Sequence, residues 1–240
     1  MWYVGVDACR GGWFVAGLGP DGVRTVLCPA FAGVWELFAP VARVFVDMPV
    51  GLPGRGVRAA DVETRRVLPA HLKSSIFNTP VRSAVHAPDK DAAKEINREL
   101  TGKSLSGQSL GLVAKIREVD AWLQARPDLR ETVFESHPEL CFGQLGGGFP
   151  AHAKKDFLGG LERLRILERY IPDAEAVLAE ARSRHARTVV AADDMLDTLV
   201  LAVAARESGE RPRFHPAGAD RPETDATGLP MAVWYPDRCK

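Results

Sequence analysis

Five acidic residues stand where buried strands and a helix could bring them together. Asp7, Asp47 and Glu135 each close a short apolar stretch that predicts a core strand, and turn-forming residues follow them. Asp194 and Asp197 are one helical turn apart in an apolar helical segment, so they share a helix face. Loops at the carboxyl ends of parallel strands build the ligand site in open α/β sheets. The acids therefore predict one carboxylate cluster, able to hold two Mg²⁺ or Mn²⁺ ions.

Each acid also has a structural explanation. An aspartate after a strand often forms an Asx-turn, which applies to Asp7 and Asp47 taken singly. Asp194 can cap its helix or interact with the helix dipole, and Glu135 can pair with an arginine. Asp197 lies a full turn inside its helix, where capping does not explain it. The joint occurrence of the five acids favours a metal site.

A cluster of basic residues predicts where a nucleic-acid strand would bind. From Gly54 to Arg82 the sequence has six basic and two acidic residues, a formal excess of +4. The alternative is a solvated helix face with scattered ion pairs. Arg10, which closely follows Asp7, and Lys154 and Lys155 are weaker phosphate-binding candidates. The predicted substrate-binding residues are Arg10, Arg55, Arg58, Arg65, Arg66, Lys73 and Arg82.

The elements that must position these residues begin with three strands. The stretches "WYVGVD", "WFVAGLG" and "VRTVLCPAF", joined by glycine-rich turns, predict an antiparallel meander. "AGVWELFAPVA" has helical spacing, and the apolar "RVFVDMP" after it predicts a fourth strand reached by a right-handed parallel crossover. "ETVFESHPEL" predicts a fifth short strand, and three helical segments follow it. "MAVWYP" predicts a final edge strand.

Residues 50–130 are too long for a simple connection. They include the helical segments "DAAKEINREL", with Asp91 as its predicted cap, and "SGQSLGLVAKIREVDAWLQ". The pattern predicts a helical insertion between the fourth and fifth strands. Residues 1–240 are interpreted as a single domain that carries this insertion.

Composition restricts the class of protein. The chain has 240 residues, of which 46% are hydrophobic and 26% charged, as in ordinary globular proteins. Lys plus Arg (31) equals Asp plus Glu (31), so nucleic-acid binding would need a local basic patch. The four cysteines form no CxxC pair, which favours free thiols in a reducing compartment. No signal peptide and no membrane-length apolar run is evident, so we expect a cytoplasmic protein with no membrane partner.

Five sequence blocks carry a family resemblance. In order, "GVDACRGGW", "VFVDMPVGLP", "SSIFNTPVR", "ESHPELCF" and "DDMLDTLVLA" resemble the signature blocks of the domain-of-unknown-function 429 family, whose members are predicted RNase H-like nucleases. The resemblance covers about residues 4–204. It implies the RNase H-like fold, a five-stranded mixed sheet with three antiparallel strands, two further parallel ones and flanking helices.

The same resemblance implies roles for the five acids. Asp7 on the first strand, Asp47 on the fourth, and Asp194 with Asp197 on the last helix match metal-ligand positions of RNase H-like nucleases. Glu135 matches the acid of the family's E-x-H-P-E block. Together these observations predict a nuclease that hydrolyses phosphodiester bonds by a two-metal-ion mechanism, with all five acids catalytic. The alternatives are a phosphotransferase related to actin-like ATPases and sugar kinases, or a non-catalytic nucleic-acid- or protein-binding module. The type of nucleic acid and the oligomeric state stay open.

Overall fold

The chain forms two compact units. The computed structural model describes residues 1–210 and 212–237. The chain leaves the first unit after its fourth strand and returns before its fifth. The first unit comprises Met1–Asp47, Glu131–Arg213 and the segment from Trp234, and the second comprises Met48–Arg130 and Phe214–Val233.

The first unit contains a five-stranded mixed sheet. Its strands are β1 Trp2–Cys9, β2 Gly12–Gly19, β3 Gly22–Cys28, β4 Val41–Val46 and β5 Val133–Glu135. The order is β3-β2-β1-β4-β5. β1, β2 and β3 pair antiparallel, as expected for apolar segments joined by short glycine turns, whereas β4 pairs parallel with β1 and β5. The predicted mixed sheet with its three-stranded meander is confirmed.

Helices flank the sheet and build most of the second unit. They are α1 Gly33–Leu37, α2 Ala59–Val67, α3 Arg82–Val85, α4 Lys90–Thr101, α5 Gly107–Ala125, α6 Pro138–Gly146, α7 Phe157–Leu167, α8 Ala174–Arg184 and α9 Ala192–Glu207. α2 to α5 follow β4 and precede β5, where helices were predicted. In the described ranges, no helix is long and apolar enough to cross a membrane.

The cap of α4 differs from the prediction by two residues. Oδ1 of Asp89 accepts hydrogen bonds from the N–H groups of Asp91 and Ala92, over 3.0 and 2.8 Å. Asp89 is therefore the cap, and Asp91 lies in the first turn of the helix. Both aspartates suit a helix start, so only the backbone geometry distinguishes them.

Helix α9 is the central helix of the first unit. Every residue from Met195 to Ala205 is buried, so the helix is surrounded by protein rather than amphipathic. It packs directly on β1 at Gly5. A Cβ atom at Gly5 would lie 2.1 Å from the carbonyl oxygen of Thr198 and 2.5 Å from the nitrogen of Ala202. Only glycine permits this close approach, which brings the start of α9 to the carboxyl end of β1.

The strand predicted from "MAVWYP" belongs to a different sheet. β6 Arg213–His215 and β7 Val233–Tyr235 form a separate two-stranded sheet. The predicted strand is present, but it pairs with β6 and is not a strand of the five-stranded sheet, to which an isolated parallel bridge between Ser136 and Trp234 links it. A three-residue strand has too little alternation to specify its partner from sequence.

Three of the four cysteines are free thiols in the structure. They are Cys9, Cys28 and Cys141, and Cys239 lies outside the described residues. Burial raises the pKa of the Cys9 thiol and raises the pKa of Cys141 to about 12. A raised pKa keeps a thiol protonated and poorly nucleophilic, so these cysteines are unsuited to catalysis.

Candidate functional site

Asp7 and Asp47 stand side by side on neighbouring parallel strands. β1 and β4 pair up to Val6 and Val46, and the N–H of Asp47 donates to the carbonyl oxygen of Val6 over 2.9 Å. Side chains alternate between the faces of a sheet, so two acids that each follow a paired valine project from the same face. The prediction that these acids lie on adjacent parallel strands is confirmed.

Asp7 does not end its strand, which corrects the sequence-based expectation. β1 continues to Cys9 because its antiparallel pairing with β2 extends to the pair Cys9 and Gly12. What ends beside Asp7 is the parallel pairing with β4. The acid therefore lies directly after the point where β1 stops pairing with β4.

Helix α9 supplies two more acids. Asp197 is 0% exposed, and its Oδ1 atom has no hydrogen-bond partner among the described residues. Asp194 is half-buried, and its Oδ2 atom accepts a hydrogen bond from the N–H of Ala191 over 2.9 Å. Asp194 thus acts in part as a helix cap. A buried carboxylate oxygen without a partner costs free energy, so Asp197 is the acid that a structural role explains least.

Lys154 supplies the positive charge beside these acids. Its Nζ atom donates to Oδ2 of Asp197 over 2.5 Å and lies 4.0 Å from Oδ2 of Asp193. The side chain is 32% exposed, whereas that of Asp197 is 0% exposed. The lysine therefore reaches from the surface to a buried carboxylate.

A buried ion pair holds the loop that carries this lysine. Arg163 of α7 is 0% exposed and donates to both carboxylate oxygens of Glu139 of α6, each over 2.7 Å. Its Nη1 atom also donates to the carbonyl oxygens of His152 and Gly159, over 3.1 and 2.8 Å. A Cβ atom at Gly159 would lie 2.0 Å from the carbonyl oxygen of Ala153, so the loop packs directly on α7.

Burial and mutual repulsion raise the pKa values of the acids. Burial is the main cause at Asp7, whose pKa lies well above its usual value, and the charges of Asp47 and Asp197 add to it. Burial also raises the pKa of Asp47 to about 7 and that of Asp197 to about 6, against the opposing charge of Lys154. The pKa of Asp194 is raised too, chiefly by burial. Clustered acids with raised pKa values are typical of functional sites.

The same acids hold Lys154 in its charged form. Burial alone would lower its pKa, but the charges of Asp197 and Asp7 outweigh burial and the pKa of the lysine is raised. An ammonium group thus compensates the repulsion among the carboxylates.

Glu135 approaches these acids from the other face of the sheet. It pairs in register with Val46, so its side chain projects from the face of Val46 and not from that of Asp47. It is 5% exposed, and its charge is among the smaller causes that raise the pKa of Asp47. The structure brings Glu135 near the acids of β1, β4 and α9 without placing it on their face. Its metal-binding role stays a prediction.

By chemistry, the carboxylates fit a hard divalent cation. Mg²⁺ and Mn²⁺ prefer carboxylate oxygens, and Oδ1 of Asp197 is a donor atom that no described group uses. Within the described part of the chain, however, no three His, Cys, Asp or Glu side chains are arranged to hold a metal ion. Instead, the ammonium of Lys154 contacts Asp197, and its charge opposes the raised pKa values of Asp7 and Asp47.

Three of the predicted substrate-binding residues make contacts within the second unit. Nη2 of Arg58 donates to Oδ1 of Asp61 over 2.5 Å, and both side chains are almost wholly buried. Arg65 donates to oxygens of the segment 76–78 over 2.8–3.2 Å. Arg82 pairs with two aspartates whose side chains are buried. The remaining candidates are exposed: Arg10, Arg55, Arg66 and Lys73. Substrate binding by this set stays a prediction.

Arg82 joins three segments of the second unit. Its Nη1 atom donates to both carboxylate oxygens of Asp120 in α5, over 2.8 and 2.7 Å. Its Nη2 atom donates to Oδ2 of Asp225 and, over 3.1 Å, to the hydroxyl of Thr227. The contacts tie α3 to α5 and to the segment that follows β6, so this arginine has a structural role.

Sequence reasoning underestimated Lys154 and missed the pair formed by Glu139 and Arg163. The available signal was two adjacent lysines just before α7, in "AKKDF". Lys155 is exposed, whereas Lys154 faces the acids. No periodicity distinguishes two neighbouring loop lysines, because the loop is positioned by the buried ion pair and not by its own sequence.

The fold and the site define a class of protein: an α/β protein with a five-stranded mixed sheet, a buried acid near the end of β1 and a half-buried acid directly after β4. The family model described as "Protein of unknown function (DUF429)" matches residues 5–221, and the chain belongs to this family. No curated protein and no solved structure matches the chain. The family resemblance carried by the five sequence blocks is confirmed.

Proposed function

We propose that the protein is a nuclease that hydrolyses phosphodiester bonds of nucleic acid with Mg²⁺ or Mn²⁺, on an RNase H-like fold. The strand order β3-β2-β1-β4-β5 supports the fold, since it contains the three antiparallel and two parallel strands that the family resemblance implies. The acids of β1, β4 and α9 support the chemistry.

One observation carries the proposal: Asp197 contacts the ammonium of Lys154 through one buried oxygen, and its other buried oxygen has no partner among the described residues. The charges of Asp7 and Asp47 act on the same lysine. A purely structural cluster would satisfy its buried oxygens with hydrogen-bond donors of the fold. Acids that repel one another, one of which has a carboxylate oxygen without a hydrogen-bond donor among the described residues, are suited to reversible binding of a cation.

Each residue has a defined part in this function. Asp7, Asp47 and Asp197 would hold the metal, and Asp194 would assist with the oxygen that does not cap α9. Bound divalent ions would supply an activated water and neutralise charge on the phosphate. Lys154 balances the carboxylates without a metal and lies where it can contact a phosphate once a metal binds them. The exposed Arg10 follows β1 and is a second phosphate contact.

The test compares Asp7→Asn with the matched surface variant Asp91→Asn. Both proteins are incubated with single-stranded, duplex, hybrid and branched nucleic acids in Mg²⁺, Mn²⁺ or Ca²⁺, and Mn²⁺ affinity is measured by calorimetry. We expect cleavage by the wild type and by Asp91→Asn, and none above background by Asp7→Asn or with Ca²⁺, whose looser coordination aligns water and phosphate poorly.

In a second assay, the proteins are incubated with ATP and small hydroxyl compounds. Two outcomes would contradict the proposed nuclease activity. Metal-dependent ATP consumption in the presence of small hydroxyl compounds, without nucleic-acid cleavage, would indicate the phosphotransferase. Absence of turnover in both assays would indicate the non-catalytic binding module.

A further inference from the structure

A cavity in the second unit carries positive charge without any acid. It has a volume of about 420 Å³, which is within the range of small-molecule sites. Arg65 and Lys103 contribute to its wall, and no aspartate or glutamate is among the described residues that line it. The remaining polar lining consists of hydroxyl and amide side chains, including Asn78, Ser106 and Gln108. Such a lining favours an anion.

The two cations are presented differently. Nε and Nη2 of Arg65 both donate to the carbonyl oxygen of Ile76, and Nη2 also donates to Oδ1 of Asn78. These hydrogen bonds fix the plane of the guanidinium group. Nη1 has no partner among the described residues, so it remains a donor for a ligand. Lys103 is exposed, and its side chain forms no ion pair within the described ranges. One rigid and one adaptable cation thus face the same cavity.

Hydrogen bonds within the second unit fix the backbone around Lys103. The side-chain amide of Asn97 donates to the carbonyl oxygen of Lys103 over 2.8 Å, and the N–H of Lys103 donates to the hydroxyl of Thr101 over 3.1 Å. The hydroxyl of Ser106 accepts from the N–H of Ser109 over 3.1 Å and begins the long helix α5. The cavity is therefore largely formed before any ligand arrives.

Part of the lining is apolar. It consists of Val57, Ile76, Phe77 and Leu105. A phosphate or sulfate ion alone would leave these side chains without contacts. A ligand that carries a phosphate on a flat, weakly polar group would contact the cations and the apolar side chains together, because aromatic side chains stack on nucleobases.

We propose that this cavity binds the phosphate of a nucleotide, with Arg65 and Lys103 contacting the phosphate and Phe77 contacting the base. The nucleotide is either free or the terminal residue of a strand. The site lies wholly within the second unit, and it goes beyond the proposed nuclease chemistry because it needs neither a metal nor the acids of β1, β4 and α9.

The experiment measures binding to the full chain by calorimetry in EDTA, which removes divalent metal. The probes are adenosine 5′-monophosphate, adenosine, inorganic phosphate, and a short oligonucleotide with and without a 5′-phosphate. We expect the monophosphate to bind saturably and at least about tenfold more tightly than adenosine, because the charge-assisted contacts need the phosphate. Lys103→Met should weaken this binding about tenfold, and Lys103→Glu should abolish it.

Lys90→Glu is the matched control, since Lys90 is an exposed lysine at the start of α4 outside the cavity. It should bind as the wild type does. Tight binding of the 5′-phosphorylated oligonucleotide identifies a strand end as the ligand, and binding of the monophosphate alone identifies a free nucleotide. The proposal is overturned if no phosphorylated probe binds, if adenosine binds as tightly as its monophosphate, or if Lys103→Glu binds normally. Since metal is absent, a failure of the nuclease assay leaves each of these results unaffected.

Discussion

At the scale of single residues, Lys154 affects the pKa values of the acids Asp7, Asp47 and Asp197. Its ammonium contacts Asp197 directly and its charge opposes the raised pKa values of Asp47 and Asp197. The loop lysine therefore acts as a built-in counter-ion. A divalent metal that binds these acids must compete with it, so the lysine affects both the stability of the metal-free protein and its affinity for metal.

Replacement of Lys154 should separate these two effects. Lys154→Met leaves the acids uncompensated, so without metal at pH 8 we expect a loss of about 2–3 kcal/mol in the free energy of unfolding, less than for a fully buried pair because the lysine is partly exposed. Mn²⁺ affinity should rise, because the competing cation is gone. Chemical denaturation and calorimetry measure the two quantities.

Lys155→Met is the natural control, since Lys155 is the adjacent but exposed lysine. It should change neither quantity appreciably. If Lys154→Met bound Mn²⁺ more weakly than the wild type, the lysine would be supporting the metal site and not competing for it.

The pKa values of the acids predict how stability depends on pH. Asp47 titrates near pH 7 and Asp197 near pH 6 in the folded protein, well above the value of about 3.9 in an unfolded chain. The folded state thus binds protons more tightly. Proton binding by Asp47 and Asp197 therefore stabilises the folded protein. This stabilisation is fully present below about pH 4 and is lost as the pH rises through 6–7.

Without divalent metal, the Tm should therefore fall as the pH is raised from 5.5 to 8. At pH 8, Asp47→Asn should melt higher than the wild type, since a gain of about 2 kcal/mol raises Tm by roughly 4–8 °C at this size. Asp91→Asn, which changes an exposed acid, should follow the wild-type profile. A profile that Asp47→Asn leaves unchanged would assign the pH dependence to other groups.

At the scale of elements, two glycines allow the close contacts that gather the site. Gly5 allows α9 to pack directly on β1, and Gly159 allows the loop that carries Lys154 to pack directly on α7. α7 also contains Gly160, where a Cβ atom would meet no atom of the described residues within 4 Å. The adjacent glycines in "LGGLE" therefore form a matched pair for substitution.

Gly159→Ala should destabilise the protein by about 2–3 kcal/mol, because the new methyl group would overlap the backbone of the loop. Gly160→Ala should be neutral or stabilising by up to about 1 kcal/mol, since alanine favours a helix. Urea denaturation measures both. Equal effects of the two substitutions would show that the loop shifts freely and does not fix Lys154.

Much of the fold was predictable because its signals are local. The meander follows from alternating segments and short turns, and the helices from their periodicity. The face of Glu135 was not predictable, since a three-residue strand leaves its register to its neighbour Val46. Nor was the place of Lys154, which depends on Arg163 and Glu139 meeting across distant parts of the chain.

At the scale of the whole molecule, the formal excess of +4 from Gly54 to Arg82 did not predict how many of these basic side chains are exposed. The formal charge counted Arg58 and Arg82 as equal to the exposed Arg55. In the structure, however, Arg58 and Arg82 pair with aspartates whose side chains are buried or nearly so. Charge counted along a sequence does not distinguish a cation that faces solvent from one that holds segments together.

Arg82→Met should therefore unfold or loosen the second unit. It leaves Asp120 and Asp225 buried without their arginine, which costs about 3–5 kcal/mol for a buried pair. Hydrogen exchange should show lost protection in α3 and α5, with the strands of the first unit less affected. Arg55→Met, at an exposed position, should keep the wild-type stability. Equal protection in both variants would contradict a structural role for Arg82.

The discontinuous path of the chain has a consequence during synthesis. β4 emerges from the ribosome long before β5, since residues 48–130 must be made in between. At about 5–20 residues per second, this interval lasts roughly 4–17 s. For that time the nascent sheet has β4 as an unpaired edge, the kind of surface that recruits other chains, and α9 follows later still. We therefore expect the protein to be most prone to aggregation during its translation, when β4 is exposed at the sheet edge and β5 has not yet been synthesised.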